Sequence, residues 1–246
     1  MSEQKITYIN GYADAIAAGN ALLCLPLELR QDIFAFAALG FIRQHAAHGR
    51  SEAAKILQGR QCGWLPPMCH VNDAFFIESL PMFLRHTTMV VRESYSAYNL
   101  RFFLLATHTF ANIYELHFTL AEAFTPLSAG AGLLSDCINL RHVCLSFRYH
   151  DFNFPRDPSV HHNAAMVGLR VLGKVDMKVF AESYPFRQLF SLKHMEKVTL
   201  AVAADGRLPD GIDDFWGIAG WLARKFRRRG LKVDVVCTTS AVGRLH

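Results

Sequence analysis

A short apolar pattern recurs along the C-terminal part of the chain, and it restricts the possible folds more than any other feature. Each copy has one apolar residue, two spacer positions, and then three apolar residues separated by single residues. The copies begin at Ile113, Leu140, Leu172 and Met195, at intervals of 23 to 32 residues. Alternation of this kind is typical of a strand with one buried face. The pattern therefore predicts four equivalent β-strands.

Segments with helical periodicity accompany these copies at 99–110 and 213–229. Weaker copies at 89–91 and 233–237 would add flanking strands. Alternation of strands and helices at this interval is typical of a leucine-rich-repeat-like α/β array. The Asn that usually closes the strand segment is replaced by Ala121, Arg148, Phe180 and Ala203. We therefore expect an α/β (or α+β) fold: an irregular or capped array, or a single α/β sheet with helices against it.

The composition is that of a folded protein with one or two domains. Of 246 residues, 51% are hydrophobic and 19% are charged, which excludes a disordered or low-complexity chain. The 19 phenylalanines indicate either a Phe-rich core or an apolar docking surface. The net charge of +5 is concentrated at 224–229, so we expect neither a nucleic-acid partner nor a membrane surface.

The basic segment 224–229 has two interpretations. It follows a helical pattern that starts with acidic residues, and Gly230 can close the helix, so its cations would complement the helix dipole. The alternative is a nuclear-import signal. The longest stretches without Asp, Glu, Lys or Arg have 13 residues, too few to span a bilayer. We expect a cytoplasmic or nuclear protein.

The sequence gives little support to a metal site or an enzyme. Six scattered cysteines fit buried thiols in a reducing compartment. Five residues have side chains of the types that bind zinc, but their spacing matches no standard zinc site: His45, His48, Cys62, Cys69 and His70. Nucleophile elbows, phosphate-binding glycine loops and zinc-protease motifs are lacking. The sequence therefore predicts a non-enzymatic protein with no metal and no cofactor.

The N-terminal region predicts helices. Pro26 suits the first turn of a helix, and an apolar stripe at helical spacing follows: Leu25, Leu29, Ile33, Phe36 and Gly40. Leu27 and Phe34 lie off this stripe, either as a second buried edge or as exposed contacts. Further along, the dipeptide 72–73, Asn-Asp, can cap a helix, in which we expect a kink or a break at Pro81.

The segment 25–34, Leu-Pro-Leu-Glu-Leu-Arg-Gln-Asp-Ile-Phe, resembles the opening of an F-box. It is most similar to the degenerate F-box-like proteins that are abundant in filamentous fungi. In those proteins a Pro-x-Leu-x-x-x-Asn segment and then Glu-Ala/Ser-Leu-Pro-x-Phe follow. The corresponding segments here are 67–72, Pro-Met-Cys-His-Val-Asn, and 78–85, Glu-Ser-Leu-Pro-Met-Phe-Leu-Arg.

The resemblance implies three regions: a lead-in at 1–24, an F-box-like helical region at 25–91, and an irregular leucine-rich-repeat-like α/β region at 92–246. It implies a substrate adaptor of a ubiquitin ligase that binds a Skp-family adaptor protein. The contact residues that it implies are Leu25, Pro26, Leu27, Ile33 and Phe34.

A client protein would then bind outward residues of the strands and the loops after them. Candidates are Tyr114, His117, His142, Phe152 and Phe154. The alternative is a stand-alone binding or scaffold protein, in which the F-box-like helix is capped by Leu-Pro and packs onto its own domain. An apolar helix face is usually core, so both interpretations of this helix stay open.

Overall fold

A computed structural model of the chain describes residues 22–47, 65–119, 124, 128–148, 170–171, 174–175, 184, 186–204 and 212–241. These residues belong to two units, which divide the chain between Thr88 and Met89. The sequence analysis places the boundary three residues later, at the end of the first strand.

The N-terminal unit is helical. Helix α1 spans Leu27–Ala47 and helix α2 spans Asp73–His86, with a single 3-10 turn at Pro67–His70 before α2. The Asn72 side chain accepts a hydrogen bond from the Phe75 amide at 3.0 Å, which satisfies one of the free N–H groups at the start of α2. The predicted cap of this helix is confirmed.

The core of this unit is small and aromatic. Leu23, Phe34, Ala74 and Phe75 form one buried cluster. The rings of Phe34 and Phe75 meet edge to face with centroids 5.5 Å apart, a favourable geometry for aromatic pairs. The core therefore joins α1 to α2 through one side of each helix.

Helix α2 continues through Pro81, so the predicted break does not occur there. A proline removes one backbone hydrogen bond from a helix interior. Leu80, Phe83 and Leu84 are all buried on both sides of it. Their burial stabilises the helix across the lost hydrogen bond.

The second unit alternates strands and helices. Its elements are β1 Thr88–Val91, α3 Ser94–Thr107, β2 Glu115–Phe118, α4 Ala129–Asp136, β3 His142–Arg148, β4 Arg170–Val171, β5 Lys174–Val175, α5 Phe186–Leu189, β6 Lys197–Ala204, α6 Ile212–Arg228 and β7 Asp234–Ala241. The mixed helix-and-strand class expected from the sequence is confirmed.

Five of these strands form one sheet in the order β1-β2-β3-β6-β7, and the pairs β2–β3, β3–β6 and β6–β7 are parallel. The strands are added in chain order, always on the same side. Parallel neighbours cannot be joined by a tight hairpin, so a crossover connection links each of these pairs.

Three copies of the apolar pattern become three adjacent strands in register. Leu116 pairs with Val143, and Val143 pairs with Val198. The apolar positions of these strands point to the same buried side, and their relative exposures are close to zero. The weaker copies at 89–91 and 233–237 coincide with β1 and β7.

The copy that begins at Leu172 is described only at Val175, and there it is a strand that does not join the five-stranded sheet. Val175 belongs to β5, which pairs antiparallel with β4 in a separate two-stranded sheet. Residues 170 and 175 pair directly, so their backbone hydrogen bonds are made locally. Met177 and Val179 lie outside the described residues.

Aromatic rings fill the buried side of the sheet. Phe124 contacts the rings of Phe118, Tyr184 and Phe186, with centroids 5.3 to 6.1 Å apart. Helix α6 contributes Phe226, whose ring lies 5.0 Å from that of Phe190. Many of the phenylalanines are therefore core residues.

The predicted end of the last helix is also confirmed. Gly230 has a φ of +73°, the left-handed conformation that closes helices at glycine.

Candidate docking surfaces

Helix α1 carries an exposed apolar stripe formed by Leu29, Ile33 and Phe36. These residues are spaced by four and three positions, so they share one helix face. Gly40 continues the stripe, and a side chain placed on it would meet no atom within 4 Å. The sequence predicts an apolar face here, and the structure shows that these three residues of it are exposed. Leu29 and Phe36 therefore join Ile33 among the candidate docking residues.

The proposed adaptor contacts from the F-box resemblance divide into two groups. Pro26, Leu27 and Ile33 are exposed and Leu25 is half-buried. Phe34 is only 1% exposed, whereas Phe36, two residues later, is 77% exposed. A side chain buried against Phe75 cannot contact a partner, so Phe34 is withdrawn from the contact set.

The two segments that carry the F-box resemblance are joined by an ion pair. Arg30 Nε lies 2.7 Å from Glu78 Oε2, and Arg30 Nη2 donates to Glu78 Oε1 at 2.8 Å. Arg30 Nη1 also donates to the carbonyls of Leu23 and Leu25. A two-point Arg–carboxylate contact fixes direction as well as distance. Arg30 thus holds the incoming chain, α1 and α2 together, and this pairing was not predicted.

The α1 stripe has an acidic edge. Glu28 and Asp32 are exposed and lie one turn apart beside it. The one Arg in the first two turns, Arg30, is already engaged with Glu78. A partner that covers the stripe is therefore favoured when it carries basic groups beside an apolar groove.

In the described strands, the side of the parallel sheet opposite its buried apolar residues is mostly polar. Register places Glu115, His142, Lys197 and Asp234 in one row across four strands. His142 Nδ1 lies 2.8 Å from Glu115 Oε1, so neighbouring members of the row interact. Groups of opposite sign that are paired across strands stabilise a sheet. The row offers donors and acceptors without a large net charge.

A second row of the same face contains His117 and Cys144, which pair across β2 and β3. His117 Nε2 shares a hydrogen bond of 2.9 Å with the hydroxyl of Ser146. Burial lowers the pKa of His117, which favours the neutral ring. Burial also raises the pKa of Cys144, although a hydrogen bond from Ser146 and the charge of Lys197 act in the opposite direction.

These pKa shifts limit the chemistry that is available to the second row. Thiolates, not thiols, act as nucleophiles, so Cys144 is poorly suited to that role. A neutral imidazole and a hydroxyl are good hydrogen-bonding groups for a polar chain.

Two of the residues expected to face a client, His117 and His142, do lie on this face. Tyr114 precedes β2 and is covered by the Arg141 guanidinium at 4.7 Å, while Phe152 and Phe154 lie outside the described residues.

Helix α3 carries a second apolar stripe that the sequence analysis did not identify. Tyr95, Tyr98, Phe102 and Leu105 are each 60 to 63% exposed, and their spacing puts them on one face. The buried side of the helix holds Ser96, Ala97, Leu100 and Leu104. The helical periodicity of this segment was visible in the sequence. Because the helix has apolar residues on two faces, the pattern did not show which face is buried.

The zinc hypothesis gains no support from the described side chains. Among them, no group of three or more His, Cys, Asp or Glu is placed to hold a metal ion. The Cys69 sulfur shares a 3.2 Å hydrogen bond with Ser79, and burial raises the pKa of that thiol. The side chains of His45, His48 and Cys62 lie outside the described residues.

Three comparisons of the chain with known proteins give the same result. A scan of protein-family models finds no match, and searches of the curated proteins and of the solved structures find no significant similarity. In the described parts of the chain, no helix combines the length and the apolar character that crossing a bilayer requires.

Proposed function

We propose that this protein is a non-enzymatic interaction module that acts as an F-box-like substrate adaptor of a ubiquitin ligase. The observation that carries the proposal is the exposed stripe of Leu29, Ile33 and Phe36 on α1. Large apolar side chains on one exposed helix face mark docking sites. Pro26 and Leu27, at the start of the same helix, extend the apolar surface.

The partner of this stripe would be a Skp-family adaptor protein, as the resemblance at 25–34 implies. The sheet unit would hold a client on its polar face, through the rows that include His142 and His117. An adaptor of this kind raises the effective concentration of the client at the ligase and needs no catalytic group. The protonated Cys144 thiol is compatible with that role.

We further propose that the sheet unit is an irregular leucine-rich-repeat-like array. Strands added in chain order and three copies of one apolar pattern in register support this assignment. The interval between β3 and β6, which holds β4 and β5, is where the array departs from regularity.

The test is a calorimetric titration of the purified chain with a Skp-family adaptor. We expect a micromolar or tighter complex that Phe36→Ala weakens about 30-fold, the scale of an interface hot spot. The matched control is Phe102→Ala, which truncates another exposed Phe, in the other unit, and leaves this affinity unchanged. Absence of heat and of co-elution at tens of micromolar would refute adaptor binding.

One observation favours the second candidate, a stand-alone binding or scaffold protein. Arg30, a residue of the F-box-like motif, is engaged in holding its own unit together. In that case the motif is structural, and the polar sheet face remains the binding surface. The same titration separates the two, because only the first candidate binds the adaptor.

A further inference from the structure

The exposed stripe on α3 belongs to neither surface used above. It lies in the sheet unit and consists of Tyr95, Tyr98, Phe102 and Leu105. Aromatic side chains bury about 150–250 Å² each, so at the observed exposure the four offer a patch of about 400–500 Å². Patches of this size on a monomer are often functional.

The stripe is free of net charge. Arg101 is the only charged residue in Ser94–Thr107, and its Nε lies 2.8 Å from Asp136 Oδ2 on α4. Gly132 makes this possible, because a Cβ at that position would lie 2.9 Å from Arg101 Nε. The guanidinium therefore rests against α4, neutralised, beside the stripe.

We propose that the α3 stripe is a self-association surface that binds the same stripe of a second copy of this chain. A two-fold contact places identical surfaces together, so any charge on the surface would face a charge of the same sign. A self-association surface should therefore carry no net charge, and the α3 stripe carries none. The α1 stripe does not, because Glu28 and Asp32 would be brought close to the same residues of the second copy.

The area that two α3 stripes can bury sets the expected affinity of the dimer. Two stripes face to face bury about 1,000 Å² in total, at the lower limit for a specific interface. The expected product is a dimer in the micromolar range, not an obligate one. This inference is independent of adaptor binding by α1, which concerns the other unit.

The test uses sedimentation of the full chain from low to high micromolar concentration. We expect a reversible monomer–dimer equilibrium. Phe102→Glu should weaken it about 30-fold or more, since it introduces facing carboxylates. Phe102→Lys should do the same with facing cations. A mixture of the two variants should restore the dimer, because the substituted positions then attract each other.

The matched control is Trp216→Glu, which replaces another exposed aromatic residue on α6 and should leave the equilibrium unchanged. A chain that stays monomeric at every concentration refutes the inference. So does a dimer that Phe102→Glu leaves intact, or a mixture that stays monomeric. Loss of the thermal unfolding transition in both Phe102 variants would also refute it, because the stripe would then be covered by its own chain.

Discussion

The N-terminal unit and the sheet unit each expose a helix with an apolar stripe, but they anchor that helix differently. Helix α1 is held by the buried Phe34 and by a buried ion pair between Arg30 and Glu78. Helix α3 is anchored by a buried side that includes Leu100 and Leu104. Its own ion pair, from Arg101 to Asp136, lies at the surface.

The ion pairs of Arg30 and Arg101 therefore have different roles in the two units. The buried two-point contact between Arg30 and Glu78 fixes the direction in which α1 and α2 meet. The pair between Arg101 and Asp136 lies at the surface, where an ion pair contributes little to stability, and it neutralises the guanidinium beside the α3 stripe. The exposed stripes then differ in their edges: acidic on α1, uncharged on α3.

The largest expected effects come from truncating the buried side of each helix. Phe34→Ala should cost about 3–5 kcal/mol of unfolding free energy and Leu104→Ala about 2–5 kcal/mol. The exposed counterparts, Phe36→Ala and Leu105→Ala, should each cost less than about 0.5 kcal/mol. Urea unfolding with segment-resolved hydrogen exchange measures each unit separately.

If Phe36→Ala or Leu105→Ala destabilises its unit as much as the buried substitution does, that stripe is part of a core. The corresponding docking proposal would then fail, while the other would stand.

The ion pairs should give a smaller and unequal effect. Arg30→Met leaves Glu78 without its partner in a site where the two side chains are 8% and 12% exposed, and should cost about 3 kcal/mol. Arg101→Met, in a pair with exposures of 49% and 32%, should cost less than about 1 kcal/mol.

The control is the double variant Arg30→Met/Glu78→Leu, in which no charge is stranded. It should recover most of the lost stability, since replacing both partners by apolar groups is often neutral. Equal costs for Arg30→Met and Arg101→Met would contradict the contrast between the two units.

The smallest expected effect is a pH dependence confined to the sheet unit. Burial lowers the pKa of His117 from its ordinary value of 6.5, so the unfolded chain takes up the proton first on acidification. Stability should therefore be intact above pH 6.5 and fall as the pH decreases through the lowered pKa. His117→Gln keeps a hydrogen-bonding group for Ser146 and removes the titration.

The readout is hydrogen exchange of β2 and β3 between neutral and acidic pH. In His117→Gln the acid-dependent loss of protection in these strands should be reduced, while α1 and α2 behave as in the original chain. An unchanged acid response would exclude His117 as its source.

Much of the sheet could be predicted from the sequence, because the copies at 113–120, 140–147 and 195–202 are real strands with one buried face. At 172–179 the described part, Lys174–Val175, is a strand of a separate two-stranded sheet, and because half of the residues are hydrophobic the pattern alone did not show this difference. A periodic pattern reports which residues share a face. It does not report which strand becomes the hydrogen-bonding neighbour.

The candidate surfaces were harder to predict. On α1 the sequence offers two apolar faces, one with Phe36 and one with Phe34, and only contact with Phe75 decides between them. On α3 the choice lies between Leu104 and Phe102 in the same way. The pairing of Arg30 with Glu78 joins residues 48 positions apart, which no local pattern shows.

The sheet whose strands follow the chain order has a consequence for synthesis and for variation. Each new strand of this sheet can pair with the strand of the same sheet that was made before it, so the sheet can grow as the polypeptide leaves the ribosome, without waiting for later segments. Contacts that are close in sequence form fast. A segment can also be inserted between neighbours without changing the path of the others, as the long interval between β3 and β6 illustrates. Length variation in this molecule is therefore tolerated best at that interval.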